Sequence, residues 1–304
     1  MKLKDLNMPP FNTTLMGVLK GVLDYYSIDV SNAMAFGGSG HAFLINIHEV
    51  ICPSGPYCWK YDGFFKLVKN LGVEITDLGF FHSKSTAEEK AQVEQNIKDS
   101  LDNGLPCSVL NMENQTISGY DDEKFFLIRP WEAVCEFTPP TLTFKTWAEF
   151  GKEIHANFLV FRKITGKDGL TIIKESIDYA LSLFRNPHEY NFEKYEIGLG
   201  AYDNWIRGVE QGHGPSHGNW WNGMVWSECR HFASEYFKEI PEKIGGNVSG
   251  SAHDLSVLYS DISDMLELVS NKEMKDKEKI KVLQELKNKE ENAVKQLETI
   301  VKLI

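Results

Sequence analysis

Side chains able to do chemistry lie along the chain in short groups. Three glycines in four residues precede His41 in Ala35-Phe36-Gly37-Gly38-Ser39-Gly40-His41, so the backbone there must turn tightly or approach something closely. Exposed N–H groups about Gly38, Ser39 and His41 would make a nest for an anion; the alternative is a chain crossing that leaves His41 at a strand edge. His48, Cys52 and Cys58 offer soft metal ligands at short spacing. A structural zinc takes four ligands, however, Pro53 and Pro56 stiffen the loop, and His41 on the same strand as His48 would face the other way. No metal and no cofactor is therefore expected. In the second half, the run from Gly212 to Trp221 (GHGPSHGNWW) mixes glycines with polar and aromatic side chains, the makings of a loop that covers a ligand. The helix after it puts Met224, Glu228, His231 and Glu235 on one stripe. That stripe is a solvated face, or else it carries a buried Glu228 directed at the first domain as a ligand contact.

These groups need elements to hold them. A chain of 304 residues with 42% hydrophobic residues is large enough for two cores. The net charge of −11 argues against nucleic acid and anionic membranes, both of which call for clustered Lys and Arg. No stretch approaches the roughly 20 apolar residues of a membrane span, and the N-terminus lacks the apolar run of a secretory signal. Five scattered cysteines in a chain of this size fit a reducing compartment, so a cytoplasmic protein is expected.

Leu15, Leu19, Val22 and Tyr26 recur at helical spacing, with Asn12, Thr13 or Thr14 able to cap the first turn. The apolar run from Ala42 to Ile47 is of β type. A helix through Phe64–Leu71, a strand at Val73–Leu78 and a charged helix from Thr86 to Leu101, capped by Thr86 over Glu89, come next. Segments 107–111, 116–120 and 125–128 then form an antiparallel meander, and Phe158–Phe161 is a last strand. Beyond Thr165–Gly169 the period is helical, with helices over 170–184, 195–209, 225–236 and 255–269. The Lys- and Glu-rich C-terminus carries Leu283, Leu286, Ala293, Leu297, Ile300 and Ile304 on a seam that Glu290 interrupts. One long helix packed on its predecessor explains that seam; a homodimer through this C-terminal helix is the sharper alternative. The fold class expected is α+β, with an α/β domain over 1–163 and a helical domain over 164–304.

The run from Asn12 to Tyr26, then Ile28-Asp29-Val30-Ser31 and Met34-Ala35-Phe36-Gly37-Gly38-Ser39-Gly40, is similar to the opening of the butirosin biosynthesis protein H family, which is related to papain-like bacteriocin-processing peptidases. Ser118-Gly119-Tyr120-Asp121-Asp122 resembles the Gly-Tyr-Asp-Asp turn after that family's histidine-bearing strand. The resemblance covers about the first 130 residues and implies a papain-like first domain with a cleft beside the first helix. Counted back from Tyr25-Tyr26, it places the family's nucleophilic cysteine at Thr14. It puts Glu113 or a neighbour where the histidine would stand, and Arg129-Pro130 near the third partner, so the thiol machinery is replaced throughout.

A cysteine at a helix N-terminus is activated by the helix dipole, but a threonine hydroxyl needs an adjacent base, and Glu113 is the one that the resemblance brings near. Two functions follow. One is a non-catalytic protein on a degenerate papain-like site that binds a small molecule or peptide in the cleft, with Asn12, Gly38, Ser39, His41, Tyr120 and Glu228 as contacts. The other is an acyltransferase or an amide or ester hydrolase with Thr14 as nucleophile and Glu113 as base. No cysteine is expected at a helix N-terminus beside a histidine: Cys107 lies in a strand, Cys135 follows the meander, Cys52 and Cys58 flank the proline loop, and Cys229 faces the apolar side of its helix.

Overall fold

The computed structural model describes residues 1–131, 137–245 and 248–304, so Cys135 lies outside the described residues. In chain order the elements are α1 (Thr14–Tyr25), α2 (Asn32–Gly38), β1 (Asn46–His48), α3 (Asp62–Asn70), β2 (Val73–His82), α4 (Ala87–Asp102), β3 (Cys107–Asn111), β4 (Glu113–Tyr120), β5 (Lys124–Ile128), β6 (Thr141–Thr143) and β7 (His155–Lys163). They continue as α5 (Gly169–Arg185), β8 (Tyr195–Ile197), α6 (Leu199–Gly208), α7 (His217–Ile244), α8 (Ser249–Ser270) and α9 (Asp276–Val301). The result is an α+β region followed by a mostly helical one.

Contacts divide the chain into two compact units, Met1–Val30 with Gly72–Gly166, and Ser31–Leu71 with Lys167–Ile304. The second boundary falls close to the expected cut after residue 163. Segment 31–71, expected in the first domain, instead belongs with the helices, because its apolar residues and glycines pack against α5 and α7.

The first unit is built on an antiparallel sheet in the order β2-β7-β3-β4-β5-β6. Alternation along the strands sorts its two faces. Cys107, Val109, Ile117, Ala156, Phe158 and Val160 point to one face and form a core with Val93, Ile97 and Leu101 of α4. That helix opens with the expected capping box, in which Thr86 Oγ1 accepts from Glu89 N–H and the Glu89 carboxylate accepts from Thr86 N–H. The opposite face carries α1. Its C-terminal end is tied down by Tyr25, whose hydroxyl donates to Gly104 O, and by Tyr26, whose hydroxyl donates to Phe161 O. The N-terminal segment crosses over α1 at Gly17 and Gly21, where a Cβ would stand 2.7 Å from Pro9 O and 2.0 Å from Asn7 O. Only glycine permits that approach.

In the second unit the run after the glycine cluster is not a strand. His41–Phe43 is a 3₁₀ turn and β1 is three residues long, paired with β8. The predicted helix from Tyr195 likewise begins only at Leu199, because β8 occupies 195–197 and Gly198 turns the chain at φ 65°. The Gly212–Trp221 stretch is no free loop: 209–213 is a π-helical turn, and α7 starts at His217, with Ser216 Oγ accepting from Asn219 N–H. The α9 seam of Leu283, Leu286, Ala293, Leu297 and Ile300 is fully buried within the chain, among α5, α6 and α8. Glu290 interrupts that seam to meet Arg230 of α7, with Nε 2.5 Å from Oε1 and neither side chain exposed.

Candidate functional site

The polar cluster at the start of α1 is assembled from three residues of the first unit. Thr13 occupies the N-cap position but makes no capping hydrogen bond through its side chain, and Thr14 is drawn away from capping by the sheet. The Thr14 hydroxyl donates to Glu113 Oε2 at 2.9 Å. It accepts from the Asn114 backbone N–H at 3.1 Å and from Asn114 Nδ2 at 3.2 Å. Glu113 and Asn114 open β4 directly after Met112, whose φ of 66° makes the tight return from β3. Thr14 is 1% exposed and Asn114 2%, while Glu113 is half-buried.

A hydroxyl has one proton and two lone pairs. All three are engaged here, and both lone pairs that could attack a carbonyl already accept hydrogen bonds. The contact to Glu113 has the length a general base needs, whereas the donors from Asn114 hold the oxygen in place and draw electron density from it.

Strand register puts a second group of side chains on the same sheet face. Asn114 pairs with Leu110, Leu110 with Asn157, and Asn157 with Phe80, so these four stand in one row across β4, β3, β7 and β2. One pleat further on, His82 is paired with His155. Three strand spacings, about 14 Å, separate Asn114 from Phe80. There Phe80, His82, Lys84, Lys152, Glu153 and His155 line an open depression of about 560 Å³. Both histidines lie outside the residues singled out from sequence, since their pairing depends on a register set over more than 70 residues. A further depression, of about 510 Å³, is lined by Asp99, Ser100, Asn103, Leu105 and Arg162.

The remaining expected contacts fall elsewhere. Asn12 is half-buried just before α1. Tyr120 ends β4, seven residues and roughly 20 Å from Glu113, and its hydroxyl donates to the Asp102 carboxylate at 2.9 Å. That carboxylate holds the phenol above its ordinary range. One small cleft cannot use both ends of β4. Gly38, Ser39 and His41 are buried in the second unit, where the glycines make room for neighbouring side chains: a Cβ on Gly37 would lie 2.2 Å from Tyr236, and one on Gly40 2.3 Å from Tyr179. Glu228, also of the second unit, is half-buried on α7.

Cys229 stands beside a histidine, but in the middle of α7 and on its buried side rather than at a helix N-terminus. Its Sγ lies 3.6 Å from His41 Nδ1, 188 residues away, and both side chains are buried. Burial pushes His41 down to about 3, and Arg230 adds to this, so the imidazole is neutral and cannot form the ion pair that activates a thiol. Burial raises Cys107 to about 12 and also raises Cys58. Among the described residues no three His, Cys, Asp or Glu side chains are grouped to hold a metal, and no helix is long and apolar enough to cross a membrane. In comparison with known proteins, no family model matches this chain, and neither does any curated protein.

Proposed function

We propose that this chain is a non-catalytic binding protein on a papain-like scaffold, taking a small molecule or peptide on the sheet face that carries α1. The observation that supports this reading best is the saturated Thr14 hydroxyl: with its proton on Glu113 and both lone pairs on Asn114 donors, it acts as a tie between helix and sheet. The raised Cys58 and Cys107 point the same way, since burial keeps both thiols protonated near neutral pH.

The second reading, acyl transfer or hydrolysis with Thr14 as nucleophile, draws on one observation, the 2.9 Å contact that puts a carboxylate where a base is required. Incubation with a β-lactone electrophile, followed by intact mass and peptide mapping, separates the two. The binding reading predicts no adduct on Thr14. A stoichiometric adduct there, lost in Thr14→Val, would replace it with the hydrolase.

A further inference from the structure

We propose that the depression at the β2–β7 end of the sheet binds a small anion joined to an aromatic ring, a carboxylate or phosphate on a planar apolar group. This deepens the binding reading above, on which it rests, by naming the class of ligand. The chain carries a net charge of −11, yet this depression sets two cations, Lys84 and Lys152, against a single carboxylate, that of Glu153, with His82 and His155 beside them as further polar groups. Such a local reversal of sign selects an anion. Apolar area for the rest of the ligand comes from Phe80, which is 60% exposed.

The local backbone explains why a phenylalanine stands in water here. The ladder between β2 and β7 shifts register between Asp77 and Phe80, with Gly79 at φ 103°. Asp77 Oδ1 accepts from Gly79 N–H at 2.8 Å and from Asn157 Nδ2 at 2.8 Å, and Asn157 Nδ2 also donates to Gly79 O. This bulge re-aims the strand and sets Phe80 on the face that carries α1. The Phe80 ring centre then lies 6.5 Å from that of His82 and 6.2 Å from that of His155, giving a broad aromatic surface. His82 is held by its turn, where Nδ1 accepts from Lys84 N–H at 3.1 Å, which leaves Nε2 to meet a ligand oxygen. The His155 backbone N–H donates to Asn111 Oδ1 at 2.9 Å, fixing the start of β7 against the end of β3. A volume near 560 Å³ is in the range of small-molecule sites.

The test is an amide chemical-shift titration of the intact ¹⁵N-labelled protein with phenyl phosphate, benzoate, inorganic phosphate and benzylamine. Shifts confined to residues 80–84 and 152–155 are expected with the first two, and the tighter of them identifies the acid group preferred. Inorganic phosphate should bind at least tenfold more weakly, and benzylamine should leave these signals in place. Lys84→Glu with Lys152→Glu should weaken phenyl phosphate at least tenfold, and Phe80→Ala should bring its affinity down to that of inorganic phosphate. These side chains are exposed, so folding is not at stake. The proposal is overturned if benzylamine moves the same signals with equal affinity, if the charge-reversed protein binds phenyl phosphate unchanged, or if no probe shifts them at millimolar concentration. Any of these results concerns the ligand class alone, whereas an adduct on Thr14 would remove the binding reading and leave the depression's chemistry to be measured as before.

Discussion

At the residue scale, Thr14, Glu113 and Asn114 form one hydrogen-bonded knot in which a single hydroxyl ties the start of α1 to the start of β4. The pairing of Thr14 with Glu113 was legible through the resemblance alone, because 99 positions separate them and no periodicity links them. Asn114, which supplies both donors, was not legible; its part depends on the return at Met112. His41 and Cys229 were hidden for the same reason, and composition could not tell a glycine nest for an anion from glycines yielding to aromatic rings. His41 also carries a pH dependence. Its folded-state value, about 3, lies below the 6.5 of a solvated imidazole, so the unfolded chain takes up the proton first as pH falls. The stability that neutral His41 contributes is complete above about pH 6.5 and is lost towards pH 3, at about 1.4 kcal/mol per pH unit. Urea midpoints from pH 7 to 4 should therefore fall more steeply for the native chain than for His41→Gln. Parallel slopes would contradict the assignment.

At the scale of elements, what was readable was local. The capping box of α4 and the strands β3 to β5 each lie within a few residues, and both were foreseen, except that β4 starts at Glu113 and not at Thr116. β8 was missed because three residues of strand before a helix leave no period to detect, and the 3₁₀ turn at His41–Phe43 was missed because apolar runs of that length do not distinguish strand from turn. The turn that leads from β6 to β7 is a tertiary construction. Lys145 and Trp147 both hold positive φ, 65° and 49°, and the buried Glu94 carboxylate of α4 accepts from Lys145 N–H at 2.5 Å and from Trp147 Nε1 at 2.9 Å. Removing that acceptor leaves two donors unsatisfied and the strained turn unsupported. Glu94→Ala should lose roughly 1–3 kcal/mol in denaturant titration, and the tryptophan fluorescence of the folded state should change with it. An unchanged midpoint would show that the turn holds itself.

At the scale of the molecule, the α+β region followed by helices was foreseen, but the division of the chain was not. A sequence boundary is sought where composition changes, whereas the chain here leaves the first unit at Val30 and returns to it at Gly72. The helical unit is centred on the buried pair Arg230–Glu290, where Arg230 Nη1 also donates to Ala42 O and Leu44 O and the Tyr202 hydroxyl donates to Glu290 Oε1. In the sequence Glu290 looked like a flaw in an apolar seam; in the fold it fixes the register of α9 against α7. Breaking one partner strands a buried charge, so Glu290→Leu alone should cost about 3–5 kcal/mol, while Arg230→Met with Glu290→Leu should cost clearly less than the sum of the single changes. Additive losses in that cycle would mean that the two charges act independently.

The Thr14 hydroxyl holds α1 to the sheet, and equilibrium unfolding of two variants measures how strongly. Thr14→Ser keeps the hydroxyl and should stay within about 1 kcal/mol of the native chain, whereas Thr14→Val keeps the shape, removes the acceptor for both Asn114 donors, and should lose roughly 1–3 kcal/mol. If Thr14→Val unfolds at the same denaturant concentration as the native protein, the hydroxyl is not a structural tie and the account of the site fails.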